Sequence, residues 1–421
     1  MKKVLKTIQT HFVTKEYSVL FIEAILVFAG IYLLLSLLSL GRLLPTIFFL
    51  DTGDAFMDFF NSIRDAAQGI DAYLERHVIY PPMANLFFYL LSFLTPDNYN
   101  NSSFEARYRW QRYDETVLLI RVFLLVCVIL LLVTWFVSLG KSIPMRRRAL
   151  LTLVFVGSVP CLNLLERGNL LIFSLIFLVI YAMTYHSPSK LVREIGLIAL
   201  ALSFSLKLYP VLFAWILIGD KRYKEFFRCA VYCLATLILP SFAFGGPSIL
   251  WTIVQNIFSF SSGSGGAQGA ISSFLHLPSF VVTGVLLLWF LLCAVTFVIA
   301  PFVGLPRWKV WAVGCIAFIA FPSLTSIYAW LLFLIPLIFL FREGAKGKND
   351  LPYFLPILIP FLFFPVPLPG PVTANIILVY PALIALTVVV VKDTWRALKQ
   401  TLQKRKSKEI GNTVQESSSD I

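Results

Sequence analysis

Apolar blocks recur from one end of this chain to the other, and most have the length that crosses a bilayer core about 30 Å thick. The first, residues 18–40, reads SVLFIEAILVFAGIYLLLSLLSL. Inside lipid every backbone amide and carbonyl must be paired within the segment, so such blocks fold as helices. The alternating polarity of a membrane barrel is missing. A soluble protein with a large core is the competing reading. Soluble domains are roughly 45–50% apolar, whereas this chain is 58% hydrophobic and 14% charged, with a mean hydropathy of +0.83. Block 18–40 is too long for a signal-peptide core and no small-residue cleavage site follows it, so it reads as a retained span. The expected fold class is all-α: a polytopic transmembrane helical bundle.

The net charge of +13 could indicate nucleic acid, but its placement speaks for a membrane. The cations sit in short connections: MKKVLK at the start, KSIPMRRR at 141–148, DKRYKEFFR at 220–228, PRWK at 306–309, REGAKGK at 342–348 and KDTWRALKQTLQKRKSK at 392–408. Cytoplasmic loops carry such an excess of Lys and Arg. With these connections inside, the spans fall at 18–40, 117–139, 149–163, 169–185, 192–206, 210–219, 227–243, 279–299, 309–321, 326–341, 351–369 and 372–391. That is about 12 spans with both termini cytoplasmic. Several are short and must tilt or line a cavity. Residues 80–96 (YPPMANLFFYLLSFLTP) would invert everything downstream if they spanned, so they read as a re-entrant or interface-lying helix. The organisation is a cytoplasmic N-terminus at 1–17, one membrane domain at 18–391 with an outer loop at 41–116, and a basic, partly disordered tail at 392–421. The six cysteines lie in or beside apolar blocks and read as small hydrophobes, not metal ligands.

This threading leaves the polar residues other than Lys and Arg on one face, where a cavity would receive them. The outer loop opens with GDAFMDFFNSIRDAAQG, which carries Asp54, Asp58 and Asp65. Asp58, flanked by aromatics, is the first candidate for a general base and Asp54 the second. Partial burial would raise such a carboxyl toward a useful range. Asp65 reads as solvated loop chemistry. In LNLLERGNLL, Glu166, Arg167 and Asn169 interrupt two apolar runs. They either pair within a helix–helix turn or reach a ligand, Arg167 a phosphate and Asn169 a sugar hydroxyl. Lys207, alone between apolar stretches before Tyr209-Pro210, either snorkels to the interface or meets a phosphate. His77 and Tyr80, in HVIYPP, lie at the entry to the 80–96 helix. No P-loop, HExxH, G-x-S-x-G or Rossmann pattern is present, so no nucleotide, cofactor or metal site is expected.

The order of these elements resembles the bacterial α-1,2-mannosyltransferase-like family, membrane glycosyltransferases of the GT-C class. The matching residues are Asp58, Gly69, Tyr73, Tyr80-Pro81-Pro82, Gly168-Asn169, Lys207-Tyr209-Pro210, and Pro322-Ser323 with Tyr328. Where that family has Gly-Gln-x-Asn, this chain has Arg167-Gly168-Asn169. The resemblance implies a GT-C-like fold in a bacterial plasma membrane. It also implies a polyprenyl-phosphate sugar donor and inverting, metal-independent transfer on the outer face to a glycolipid or glycan acceptor. Asp58 or Asp54 would be the base and Lys207 and Arg167 the phosphate-binding cations. Tyr73, His77, Tyr80, Glu166, Asn169, Tyr209 and Tyr328 would contact substrate. A flippase for a lipid-linked saccharide is the alternative, but it would more often show related halves, and none is evident. A ligase or polymerase of glycan chains would carry a late outer loop rich in Arg and His. The loop at 244–278 has one histidine and no arginine.

Overall fold

The computed structural model describes residues 11, 13–41, 56–95, 114–261, 272, 275–320, 327–362 and 374–419. These residues are helical throughout, with no strand among them. In chain order the helices are α1 (Tyr17–Leu38), α2 (Met57–Ala66), α3 (Pro82–Ser92), α4 (Asp114–Ser138), α5 (Met145–Val156), α6 (Val159–Arg167), α7 (Leu171–Thr184) and α8 (Lys190–Leu206). There follow α9 (Tyr209–Gly219), α10 (Tyr223–Ser241), α11 (Ile249–Ser261), α12 (Ser279–Ile299), α13 (Arg307–Ile319), α14 (Ile327–Arg342), α15 (Leu351–Leu362) and α16 (Ala374–Ser419).

Five of these helices, α1, α4, α10, α12 and α16, are long and apolar enough to cross a membrane. The pair α5–α6, bent by 52°, makes a sixth if it is one broken span. Gly157 ends α5 and Pro160 opens α6, where a missing N–H is no loss. The spans carry many exposed leucines, valines and isoleucines, among them Leu33, Leu37, Val133 and Leu288. Such faces suit lipid and not water. The chain is therefore a membrane protein.

α7, α13, α14 and α15 are shorter and mostly buried, enclosed by the longer helices. α7 and α8 form a tightly packed hairpin. Near one end Gly196 meets Thr184, where an added Cβ would lie 2.5 Å from its hydroxyl. Further along, Ser174 and Ser203 exchange hydrogen bonds of 2.7–3.0 Å between the helices. Inter-helix bonds of this kind are a recurrent glue in apolar surroundings. The hairpin places Asn169, before α7, and Lys207, after α8, at the same end of the molecule.

The 80–96 segment forms the 11-residue α3, about 16 Å long and too short to span, which packs against α2, α8 and α10. One element departs from the sequence reading: the last helix does not stop at 391 but continues unbroken to Ser419. Its polar half is rich in Lys, Gln, Arg and Glu, which are good helix formers.

Candidate active site

The site is built around the end of α6. Gly168 closes that helix with φ +61°, and its N–H and that of Asn169 bond back to Leu165 and Leu164. This left-handed closure suits glycine. Glycine is required for a second reason: a Cβ at 168 would lie 2.7 Å from the Phe59 side chain. Phe59 therefore docks α2 directly onto the helix end. The Phe56 N–H also donates to the Glu166 carbonyl at 2.6 Å. These contacts bring Asp58 beside Arg167 and Asn169, more than 100 residues further along the chain. Gly168→Val is expected to destabilise the fold by about 1–3 kcal/mol from backbone strain alone. The clash with Phe59 adds to this, so a thermal melt should show a clear drop.

Asp58 is held at both oxygens. Arg167 Nη2 donates to Oδ1 at 2.5 Å and Asn169 Nδ2 donates to Oδ2 at 2.6 Å. The same Asn169 amide lies 3.5 Å from the Tyr80 hydroxyl and 3.4 Å from that of Tyr328, while its own Oδ1 accepts the Leu171 N–H at 3.0 Å. Lys207 places its ammonium 4.6 Å from the centre of the Tyr80 ring. It forms no ion pair among the described residues.

These groups line one cavity of about 720 Å³. Asp58, Asn169, Lys207, Tyr80, Tyr209 and Tyr328 surround its inner end. His77 and Arg76, both exposed, mark a mouth. Val211, Leu212, Ile257, Phe290 and Phe318 give the cavity an apolar stretch of wall. Phe290 belongs to α12, one of the membrane-length helices, so part of the cavity wall is a helix long enough to span. A second, apolar groove of about 300 Å³ shares the wall residues Val211 and Leu212 with the cavity and lies between α10 and α12, along Cys229, Cys233 and Phe297.

Burial raises the Asp58 carboxyl above its ordinary value. The Asn169 hydrogen bond and the charge of Lys207 oppose that rise without cancelling it. Burial also lowers the Lys207 ammonium to about 8, and the Asp58 charge resists that fall. A carboxylate that is already paired thus shares the cavity with a second, unpaired cation. A buried unpaired charge is costly. An anionic group bound at the inner end would remove that cost.

Of the candidate residues read from the sequence, Asp58, His77, Tyr80, Asn169, Lys207, Tyr209 and Tyr328 converge on this cavity, with Arg167 bonded to Asp58. Two do not line it. Tyr73 is fully buried in a separate cluster with Phe244 and Ile249, because the chain turns inward after Gly69 and packs it under the loop. Glu166 is buried on the other side of the α6 terminus, 3.5 Å from the Asn163 amide. Asp54, Pro322 and Ser323 lie outside the described residues. The sequence reading missed Asn61 and Arg76 and set Asp65 aside as loop chemistry, although all three line the cavity. For Asn61 and Asp65 the helical spacing from Asp58 carried the signal. It also missed Asn256, a buried residue whose amide donates to the Tyr73 and Val78 carbonyls at 2.9 and 3.2 Å and so ties down the loop bearing Arg76 and His77.

Comparisons with family models, curated proteins and solved structures give no match for this chain.

Proposed function

We propose that this chain is a polytopic membrane glycosyltransferase of the GT-C type. It would move a sugar, mannose-like, from a polyprenyl-phosphate donor to a glycolipid or glycan acceptor. The reading includes about 12 spans, the shorter helices crossing with the longer ones, in a bacterial plasma membrane with both termini cytoplasmic and the cavity opening on the outer face. The observation that carries it is a held carboxylate, Asp58, in one cavity with an ammonium, Lys207, that forms no ion pair among the described residues, beside an apolar groove that shares two wall residues with that cavity. A base, a phosphate-binding cation and a bed for a lipid chain are the three things such a transfer needs.

In this reaction Asp58 accepts the proton of an acceptor hydroxyl as its oxygen attacks the anomeric carbon. The bond between that carbon and the phosphate oxygen breaks, and its electron pair leaves with the polyprenyl phosphate. Displacement at one step inverts the configuration. A phosphate leaving group needs charge stabilisation and not a general acid, and fixed cations aimed at developing charge are a large source of rate enhancement. Lys207 meets the phosphate directly. Arg167, bonded to Asp58, would bridge base and phosphate and hold the two reaction partners in register. Tyr80, Tyr209 and Tyr328 supply ring faces and hydroxyls to the transferred sugar.

The test is transfer of radiolabel from a panel of polyprenyl-phosphate sugars to crude lipid acceptors, by purified protein in nanodiscs. Transfer is the expected result. A flippase would use the same groove and cation. Movement of labelled donor across liposomes with no transfer from any member of the panel would replace the enzyme with the transporter.

A further inference from the structure

α2 is packed on every side but one. Seven of its ten residues are buried. The other three, Asp58, Asn61 and Asp65, recur at i, i+3 and i+7 and so share one face. All three line the cavity. At 1.5 Å per residue, Asp65 stands about 10 Å beyond Asp58 along that wall. This is further than one pyranose ring reaches.

Asp65 is set up to receive a ligand. Arg64, itself buried, donates Nε and Nη2 to Oδ1 at 3.2 and 2.9 Å, which fixes the carboxylate. Oδ2 takes no hydrogen bond among the described residues. Arg76 and His77, on the loop before α3, line the same cavity. His77 has φ +54°, a conformation that costs a non-glycine residue strain. Asn256 holds this loop by the two carbonyl contacts described above. Together the four side chains offer a fixed acceptor, an amide, an imidazole and a guanidinium. Alternating donors and acceptors suit the adjacent hydroxyls of a neutral sugar. Both Asp58 oxygens are already engaged, whereas Asp65 is bonded at Oδ1 alone among the described residues, so this end offers a hydroxyl an acceptor that the Lys207 end does not.

We propose that Asn61, Asp65, Arg76 and His77 form a second saccharide subsite, which holds the sugar unit next to the one that bears the attacking hydroxyl. The acceptor is then an oligosaccharide end, at least two sugars long, and not a single sugar or a lipid alcohol. This rests on the transferase reading of the cavity.

The experiment uses matched octyl monoglycosides and diglycosides of mannose, glucose and galactose, with the full-length protein in nanodiscs. Both transfer kinetics and equilibrium binding by thermophoresis are measured. In the wild type, at least one diglycoside should exceed its monoglycoside by roughly ten- to a hundredfold in kcat/KM and in affinity, the range expected for hydrogen bonds to a charged group. Asp65→Ala should bring that ratio to about one through KM, with Asp65→Glu recovering part of it. Asn61→Ala should act in the same direction. Ratios near one for every wild-type pair in both measurements would overturn the subsite while leaving the transferase intact if transfer occurs. Equal loss of kcat on both members of a pair in Asp65→Ala would also overturn it. Diglycoside binding that depends on Asp65, without transfer from any donor, would keep the subsite and sink the transferase.

Discussion

Asp58→Asn is expected to lower sugar transfer by about 10²- to 10⁴-fold, the range that general base catalysis contributes. The amide fills the same space and keeps one oxygen for Arg167 or Asn169, so the helix end should stay closed and donor binding should persist. The measurement is single-turnover transfer at saturating donor, with donor affinity and a thermal melt as controls. A variant that binds donor, melts normally and does not turn over identifies Asp58 as the base. Asp54→Asn is the partner experiment: loss there alone would move the base along the outer loop and keep the reaction. The pH profile gives an independent check. Asp58 must be ionised to accept a proton, and burial raises its carboxyl above the ordinary range. The acid limb of kcat/KM should therefore fall away as pH drops through a value higher than that of an ordinary aspartate. Lys207 must be charged to hold a phosphate, and its ammonium is lowered to about 8. The alkaline limb should fall near there, giving a bell between the two.

Lys207→Met should weaken donor binding by roughly ten- to a hundredfold, as expected when a charge-assisted contact to phosphate is lost. The turnover rate should fall too, because charge builds on the phosphate oxygen as the glycosidic bond breaks. A lysine that only snorkels to the interface would give neither effect. Its removal would relieve a desolvated charge and could even raise the melting temperature. The variant also reports on Asp58. Lys207 is one of the groups that hold down the Asp58 carboxyl, so without it the acid limb should move to higher pH. A loss of donor affinity with no movement of that limb would mean the two groups act separately.

The apolar blocks were legible because burial in lipid demands runs of one chemistry, and each block expected to span corresponds to a helix or a bent pair. How many of them cross was less so: α7, α14 and α15 are apolar like the long spans but shorter. Hydropathy reads what surrounds a helix, not how far it extends. Lys207 and Asn169 stood out as polar residues between apolar runs. That they meet Asp58 did not, since the meeting depends on Phe59 fitting against the bare backbone of Gly168. Tyr73 was misplaced for the converse reason, being close in sequence to His77 and Tyr80 yet turned into another cluster. Asp65 looks like a loop acid in the sequence because nothing local marks its helix, yet α2 carries it onto the face of Asp58.

The contact between Asp58 and Arg167 also sets an order of events in the making of the protein. The two residues are 109 positions apart. At about 5–20 residues per second, several seconds of synthesis separate the emergence of the carboxylate from that of its guanidinium, and Lys207 and Tyr328 come later still. Until α6 arrives, α2 has no helix end to dock on, so the nascent loop must wait in water or at the lipid headgroups with its charge solvated. The centre closes only when most of the polypeptide has been inserted, and a ribosome that stalls before Tyr328 leaves behind a membrane-embedded fragment with base and cations but an incomplete ring of tyrosines.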